Sequence, residues 1–344
     1  MALAEYYFER INKQLKTGKF IFPPSVEIDL TNKCHQNCYY CNVHDFRRDF
    51  PDAATKEDYL KLIDNLPEEC YDITYAGGGD PLANKDANEI FNYSLKKGFK
   101  IGIITNGMGI DKLKFDKEKH PSWIGIDIDV GNQEDYFKIR KGNLTKVIKG
   151  IEKVINEFKS YGTEITFKYL INDYNNSKEQ FKEAIELASK VGFDAFFVRI
   201  AHFKNGHIIQ PETTWNDLET YLKEQCEKNN IRLGCSFEKE KDFISNKGKF
   251  IEKCFGPMLS LIFCADGKIY WCTEYRGIKE YQMGDWIKNG LKELYENNYV
   301  DEMKNFIQCH KCNHQCRFYK NFKFIDKIID GLEYEDAGHK VGFF

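Results

Sequence analysis

Cys34, Cys38 and Cys41 stand in a C-x3-C-x2-C run, TNKCHQNCYYC, just after a short β-rich segment. Cysteine thiolates hold iron–sulfur clusters, and three of them can cover three irons of a [4Fe-4S] group. With no fourth cysteine nearby, one iron is left open, as catalytic metal sites require. The same spacing also suits a zinc knuckle with His35 or His44 as fourth ligand. A second group, Cys254, Cys264, Cys272, Cys309, Cys312 and Cys316, crowds the last quarter of the chain. Its CHKCNHQC run follows a predicted hairpin, so an iron–sulfur site and a zinc ribbon both stay open. Only Cys70, Cys226 and Cys235 lie between the two groups, a distribution that predicts two metal sites.

These residues need a scaffold, and the first two-thirds of the chain supplies one. Strands are predicted at PSVEIDL (24–30), YDITYAG (71–77), KIGIITNG (100–107), WIGIDIDV (123–130), EITFKYLI (164–171) and AFFVRI (195–200). Helical patterns such as KEDYLKLIDNL, LTKVIKGIEKVINEFKS and KEQFKEAIELASKVG alternate with them. This alternation predicts parallel strands joined by right-handed crossovers. Two strands carry a polar face: Ser25, Glu27, Asp29 and Thr31 in one, Thr166, Lys168, Leu170 and Asn172 in the other. A sheet buried on both sides favours continuous apolar runs, so a partial (β/α)6 barrel around a polar cavity fits better. Chemistry in such barrels sits at the carboxyl ends of the strands, where the motifs fall. Residues 1–20 read as an amphipathic helical segment, 21–205 as the barrel and 206–250 as a connecting helix and strand with a charged stretch, KEKDFISNKGKF. Residues 251–344 read as a small cysteine-rich unit with a hairpin around Asp266-Gly267.

The Cys34/Cys38/Cys41 spacing, with Tyr40 before the last cysteine, resembles the signature of the radical S-adenosylmethionine (SAM) superfamily. AGGGDP, with Gly77, Gly78, Gly79 and Asp80, resembles that family's Gly-Gly-Glu motif for the SAM amino group, with Asp in place of the commoner Glu. Thr105-Asn106-Gly107 resembles a recurrent family element, and IDIDVG resembles the strand whose polar residues approach SAM. The resemblance covers roughly residues 20–200 and implies SAM and a [4Fe-4S] cluster as cofactors. It implies SAM contacts from Tyr40, Gly77 to Asp80, Thr105, Asn106, Asp127, Asp129 and Lys168. It also implies reductive SAM cleavage to a 5′-deoxyadenosyl radical that takes hydrogen from a substrate. The C-terminal group resembles the SPASM/twitch extension, in the shorter twitch form with one auxiliary [4Fe-4S] cluster. The expected ligands are Cys254, Cys272, Cys309 and Cys312, with Cys316 as substitute; Cys264 reads as a small buried apolar residue.

Composition narrows the partners. The net charge of −3 and the interleaving of Lys with Asp and Glu argue against a nucleic-acid binder. No apolar run reaches membrane-spanning length and no signal peptide is visible, so a cytoplasmic enzyme is expected. The expected substrate is a small molecule, for instance a sugar or cyclitol oxidised with help from the auxiliary cluster. The alternative is a peptide or protein modified by side-chain oxidation, thioether formation or epimerisation. Arg199 and His202, at the end of the sixth strand, are the candidate substrate-side catalytic residues. Cys235 is a candidate hydrogen-atom donor or an inert buried thiol. A flavodoxin or ferredoxin is the expected electron donor.

Overall fold

The computed structural model describes residues 3–201, 203, 209, 212–235, 237–245, 254–305 and 316–318. Strands β1 (Ser25–Ile28), β2 (Asp72–Tyr75), β3 (Lys100–Thr105), β4 (Trp123–Asp127), β5 (Glu164–Ile171), β6 (Ala195–Ile200) and β7 (Arg232–Gly234) pair in parallel, in chain order. Long amphipathic helices cross between them, and their ends carry local stop and start chemistry. Thr55 with Asp58, and Ser177 with Gln180, form capping boxes. Gly162 and Gly192 take left-handed backbone at helix C-termini, which a residue with a Cβ rarely adopts.

The alternation along β5 shows how the wall is made. Ile165, Phe167, Tyr169 and Ile171 are fully buried under the helices, while Thr166, Lys168 and Leu170 are part-exposed on the opposite face. Full burial of each such apolar side chain contributes about 1.5–3 kcal/mol. The apolar rows of neighbouring strands, including Ile101, Ile103, Ile124, Ile126, Phe196 and Val198, merge into one core. The polar rows are left facing the inside of the curved sheet. This is the expected α/β partial barrel, with a mostly parallel central sheet.

The sheet differs from expectation in extent. Strand β7 extends the parallel series beyond the six expected strands. On the other side, β8 (Ser260–Phe263) pairs in parallel with β1, β9 (Lys268–Tyr270) pairs antiparallel with β8, and β10 (Gln282–Asp285) pairs antiparallel with β9. The result is one ten-stranded sheet in the order β10-β9-β8-β1-β2-β3-β4-β5-β6-β7. The hairpin around Asp266-Gly267 is present, but it continues the barrel wall. The stretch read as a charged connector begins instead as a helix, Phe237–Ser245. No Gly or Pro interrupts the run before Gly248, so nothing local stops a helix from forming there.

Candidate active site at the carboxyl ends of the strands

The chain leaves β1 through Asp29 to Thr31 and enters the cysteine loop. Cys34, Cys38 and Cys41 are half-buried free thiols. Each is met by nitrogen donors: Asn106 Nδ2 lies 3.4 Å and the Gln36 N–H 3.5 Å from Cys34 Sγ. Arg140 Nη1 lies 3.8 Å from Cys38 Sγ, and Arg47 Nη1 lies 3.8 Å from Cys41 Sγ. Burial pushes the Cys38 thiol up to about 12, with Arg140 opposing the shift and Cys34 and Cys41 adding to it. Burial opposes ionisation of both Cys34 and Cys38, so their thiolates need cationic compensation of the kind bound iron would supply. Among the described residues no three Cys, His, Asp or Glu side chains converge on a single-ion site. Three thiols flanked by N–H donors are a donor set of the kind that iron–sulfur clusters take.

A buried brace holds this loop, and its main member, Arg140, lies in no motif that sequence reasoning singled out. Arg140 ends the helix Gln133–Arg140, and its side chain is 4% exposed against a fully buried Asp129 carboxylate 2.6 Å away. Tyr40 Oη donates to the same carboxylate, as does the Leu170 N–H at 2.7 Å. Arg140 also donates to Gln36 Oε1 at 3.1 Å, and Gln36 donates in turn to Tyr136 at 2.6 Å. Asp129 has φ 68°, so the chain turns sharply just after β4 and aims its side chain at the loop. Asp129 and Tyr40, expected as SAM contacts, are thus engaged with the protein itself. Asp129 is fully buried, at 0% exposure.

The glycine run performs a related task. Gly77 and Gly78 have φ of 63° and 53°, and a Cβ on Gly79 would meet the Lys33 carbonyl oxygen at 1.9 Å. The Gly79 N–H donates to Thr31 O at 2.7 Å, and the Asp80 N–H donates to Lys33 O at 2.8 Å. Asp80 is buried and accepts from Leu82 N–H at 2.9 Å, Asn106 N–H at 2.6 Å and Thr105 Oγ1 at 2.9 Å. Asp80 therefore staples the end of β2 to the Thr105-Asn106 turn, and Asn106 passes that order to Cys34. Three motifs far apart in sequence are brought to one point.

Deeper on the inner face, Lys168 of β5 pairs with Asp127 of β4 at 3.3 Å, both side chains part-buried. Arg199 of β6 lies opposite Leu170 of β5, half-buried. His202 lies outside the described residues. Glu27 and Asp29 of β1 face two arginines that sequence reasoning missed. Arg276 bonds Asp29 at 2.7 Å and also Glu27, while Arg317 bonds the second oxygen of Glu27. Burial opposes charge on Glu27, yet Arg317 and Arg276 together hold its carboxyl below the usual range. Nothing in the local sequence pairs positions about 250 residues apart.

Of the second cysteine group, Cys254 is buried, with Trp271 Nε1 at 3.1 Å from its sulfur, and Cys272 and Cys316 are half-buried. A Cβ on Gly256 would touch both Cys254 Sγ and the Phe318 ring at 3.5 Å, which brings the Arg317-Phe318 turn beside Cys254. Cys309 and Cys312 lie outside the described residues. Cys264 packs with Phe46, Ile262 and Tyr270 at 0% exposure, and its thiol also meets the buried Asp29 carboxylate. Cys235 is half-buried, and burial pushes its thiol well up, as an inert thiol would be.

Comparison with known proteins places this geometry. The radical SAM superfamily model matches residues 28–167, from the end of β1 to the middle of β5. The chain is 28% identical over 155 residues to Fe-coproporphyrin III synthase of Methanosarcina barkeri, covering 44% of this chain and only 38% of that protein. It is 27% identical over 298 residues to GTP 3′,8-cyclase of Clostridium perfringens, covering 82% of this chain and 84% of the relative. Its fold matches Streptococcus suis SuiB bound to the precursor peptide SuiA, with a TM-score of 0.62 at 14% identity, over 87% of this chain and 70% of that one. No helix among the described residues is long and apolar enough to cross a membrane. The cysteine loop, the Asp80 staple and most of the parallel wall lie inside or against the segment that matches the radical SAM superfamily, and the relatives that this chain resembles are enzymes.

Proposed function

We propose that the chain acts on a small molecule in the cytoplasm, with one auxiliary [4Fe-4S] cluster of the twitch type beside the barrel mouth. A [4Fe-4S] cluster with bound SAM supplies the electron for SAM cleavage and the 5′-deoxyadenosyl radical that takes hydrogen from substrate. The chain's own part is to hold and orient. Cys34, Cys38 and Cys41 are the ligands of the first cluster, and Asn106, Arg47 and Arg140 direct N–H groups at their sulfurs. The open edge of the Gly77–Gly79 run, together with Lys168 and Asp127, is the remaining polar surface for SAM. Cys254, Cys272 and Cys316, with Cys309 and Cys312, are the candidate auxiliary ligands, and a flavodoxin or ferredoxin is the electron donor.

The observation that carries this reading is the junction of the two cysteine groups on one wall. Strand β8 pairs directly with β1, and Arg276 and Arg317 reach from the C-terminal part into the barrel. An auxiliary cluster there would flank the same cavity and be placed to take an electron from a substrate radical. The similarity to a GTP cyclase over most of both chains favours a small molecule. A peptide substrate is the second reading, favoured by the fold likeness to a peptide-bound enzyme. Iron and sulfide analysis after anaerobic reconstitution tests the two-cluster claim, comparing wild type with the Cys34/Cys38/Cys41→Ala variant. About half the iron remains in the variant if there is one auxiliary cluster. A folded variant with none contradicts it.

A further inference from the structure

Resting on the reading that Cys34, Cys38 and Cys41 hold an open-iron [4Fe-4S] cluster, we propose that Arg47 is a positioning residue for its reduction. Acting through Cys41, Arg47 sets one unanswered positive charge against the cluster and raises its reduction potential. The other arginines packed around these strands are answered by carboxylates: Arg140 by Asp129, Arg276 by Glu27 and Asp29, and Arg317 by Glu27. Arg47 is different. It is half-buried, its Nε donates to the Asn32 carbonyl at 3.0 Å, and its Nη1 lies 3.8 Å from Cys41 Sγ. Among the described residues no carboxylate lies within ion-pair distance of it. Asp52, which also bonds this loop, is taken up by Thr31 Oγ1 at 2.6 Å and the Asn32 N–H at 2.5 Å.

Packing explains why the charge stays there. The short helix His44–Asp49 follows the cysteine loop and carries Arg47 and Arg48 side by side, in different surroundings. The Arg48 side chain is 62% exposed and pairs with Asp45 at 3.2 Å and Asp49 at 2.7 Å. Phe46 anchors the helix from the other side. It is buried with Ile262, Cys264 and Tyr270 of the C-terminal hairpin, and it stacks on Phe50 with ring centroids 5.0 Å apart. A Cβ on Gly277 would meet the Phe50 ring at 2.7 Å and the Phe46 ring at 2.9 Å, so this contact is close. The helix is thus pinned between the hairpin and the cysteine loop, and the bond to Asn32 holds the guanidinium at Cys41. Reduction adds one electron, supplied by the one-electron donor, and with it one negative charge to the cluster and its thiolates. A half-buried cation this close favours that charge, whereas an exposed cation already paired is screened. Net charge, hydrogen bonds to the sulfurs and solvent exposure set such potentials.

The test is a redox titration of the full, anaerobically reconstituted chain, followed by electron paramagnetic resonance. It compares wild type, Arg47→Gln, Arg47→Lys and Arg48→Gln at matched iron and sulfide content. The first cluster is identified by the reduced-state signal that changes when SAM is added. Arg47→Gln is expected to lower its midpoint, so that at the wild-type midpoint the ratio of reduced to oxidised cluster falls about tenfold, which is about 59 mV for a one-electron couple. Arg47→Lys keeps the charge and should keep most of the wild-type value. Arg48→Gln removes the same charge from the exposed side of the same helix and should change the ratio by about twofold at most. A midpoint unchanged in Arg47→Gln, or lowered equally in Arg47→Lys or Arg48→Gln, overturns the inference. So does a folded Arg47→Gln protein that takes up no first cluster, since Arg47 would then serve assembly. Absence of a SAM-responsive signal from iron-replete wild type overturns the underlying reading, whereas its presence with equal midpoints in all four proteins overturns this inference alone.

Discussion

Asp72 opens β2 fully buried, with neither carboxylate oxygen hydrogen-bonded. Burial raises its carboxyl from 3.8 to about 7, with Lys100 opposing the shift. A folded-state value above the unfolded one means that the group favours the fold below pH 4 and loses that contribution as pH climbs towards 7. Asp72→Asn is therefore expected to match wild type near pH 4 and to exceed it by about 2–4 kcal/mol at pH 8. Urea titrations across that range read the difference, and a constant gap at every pH would contradict the assignment. Arg140 gives the opposite case. Removing one member of a buried ion pair strands the other, at a cost of about 3–5 kcal/mol. Arg140→Met should lower the unfolding midpoint accordingly, and Arg140→Met/Asp129→Leu should recover part of the loss. No recovery in the double variant would mean that the pair does not act as a unit. From sequence, Asp127 and Asp129 look equivalent because strand alternation puts them on one face. The φ of 68° at Asp129 breaks that alternation, and no local pattern announces it.

At the scale of elements, the loop after β1 and the loop after β2 are pressed together with no room for a side chain. Gly79→Ala must displace Lys33, because its Cβ would meet that carbonyl oxygen at 1.9 Å. The neighbouring Cys34 moves with it. The expected outcome is a folded protein that loses the first cluster and retains about half its iron. Full iron content would show that the loop yields without consequence. The strands themselves were readable because each is a short apolar, β-branched run closed by Gly, Asn or a capping residue. All six expected barrel strands lie within their expected runs. The motifs were readable for the same local reason. What they do was not, because Asp80 acts through Thr105 and Asn106, some 25 residues further on.

Across the whole molecule, pairing between distant segments decides the architecture. The register Ser25 to Ser260 and Ile28 to Phe263 fuses the C-terminal hairpin to the barrel wall. A hairpin signal can be read within a few residues, whereas its docking edge depends on a strand more than 200 residues earlier. The clamp of Arg276 and Arg317 on Glu27 belongs to this scale, since it joins the cysteine-rich part to β1. Glu27→Gln leaves both arginines short of a charge, so proteolysis after the hairpin should speed up several-fold relative to wild type. An unchanged cleavage rate would mean that strand pairing alone holds the two parts together. The central claim is that Cys34, Cys38 and Cys41 hold an open-iron cluster that cleaves SAM. Its most direct test is 5′-deoxyadenosine formation by anaerobically reconstituted, dithionite-reduced protein, measured by chromatography for wild type and Cys38→Ala. The account predicts 5′-deoxyadenosine and methionine from wild type and none above background from the variant. Equal yields from the two proteins, or none from iron-replete wild type, would contradict it.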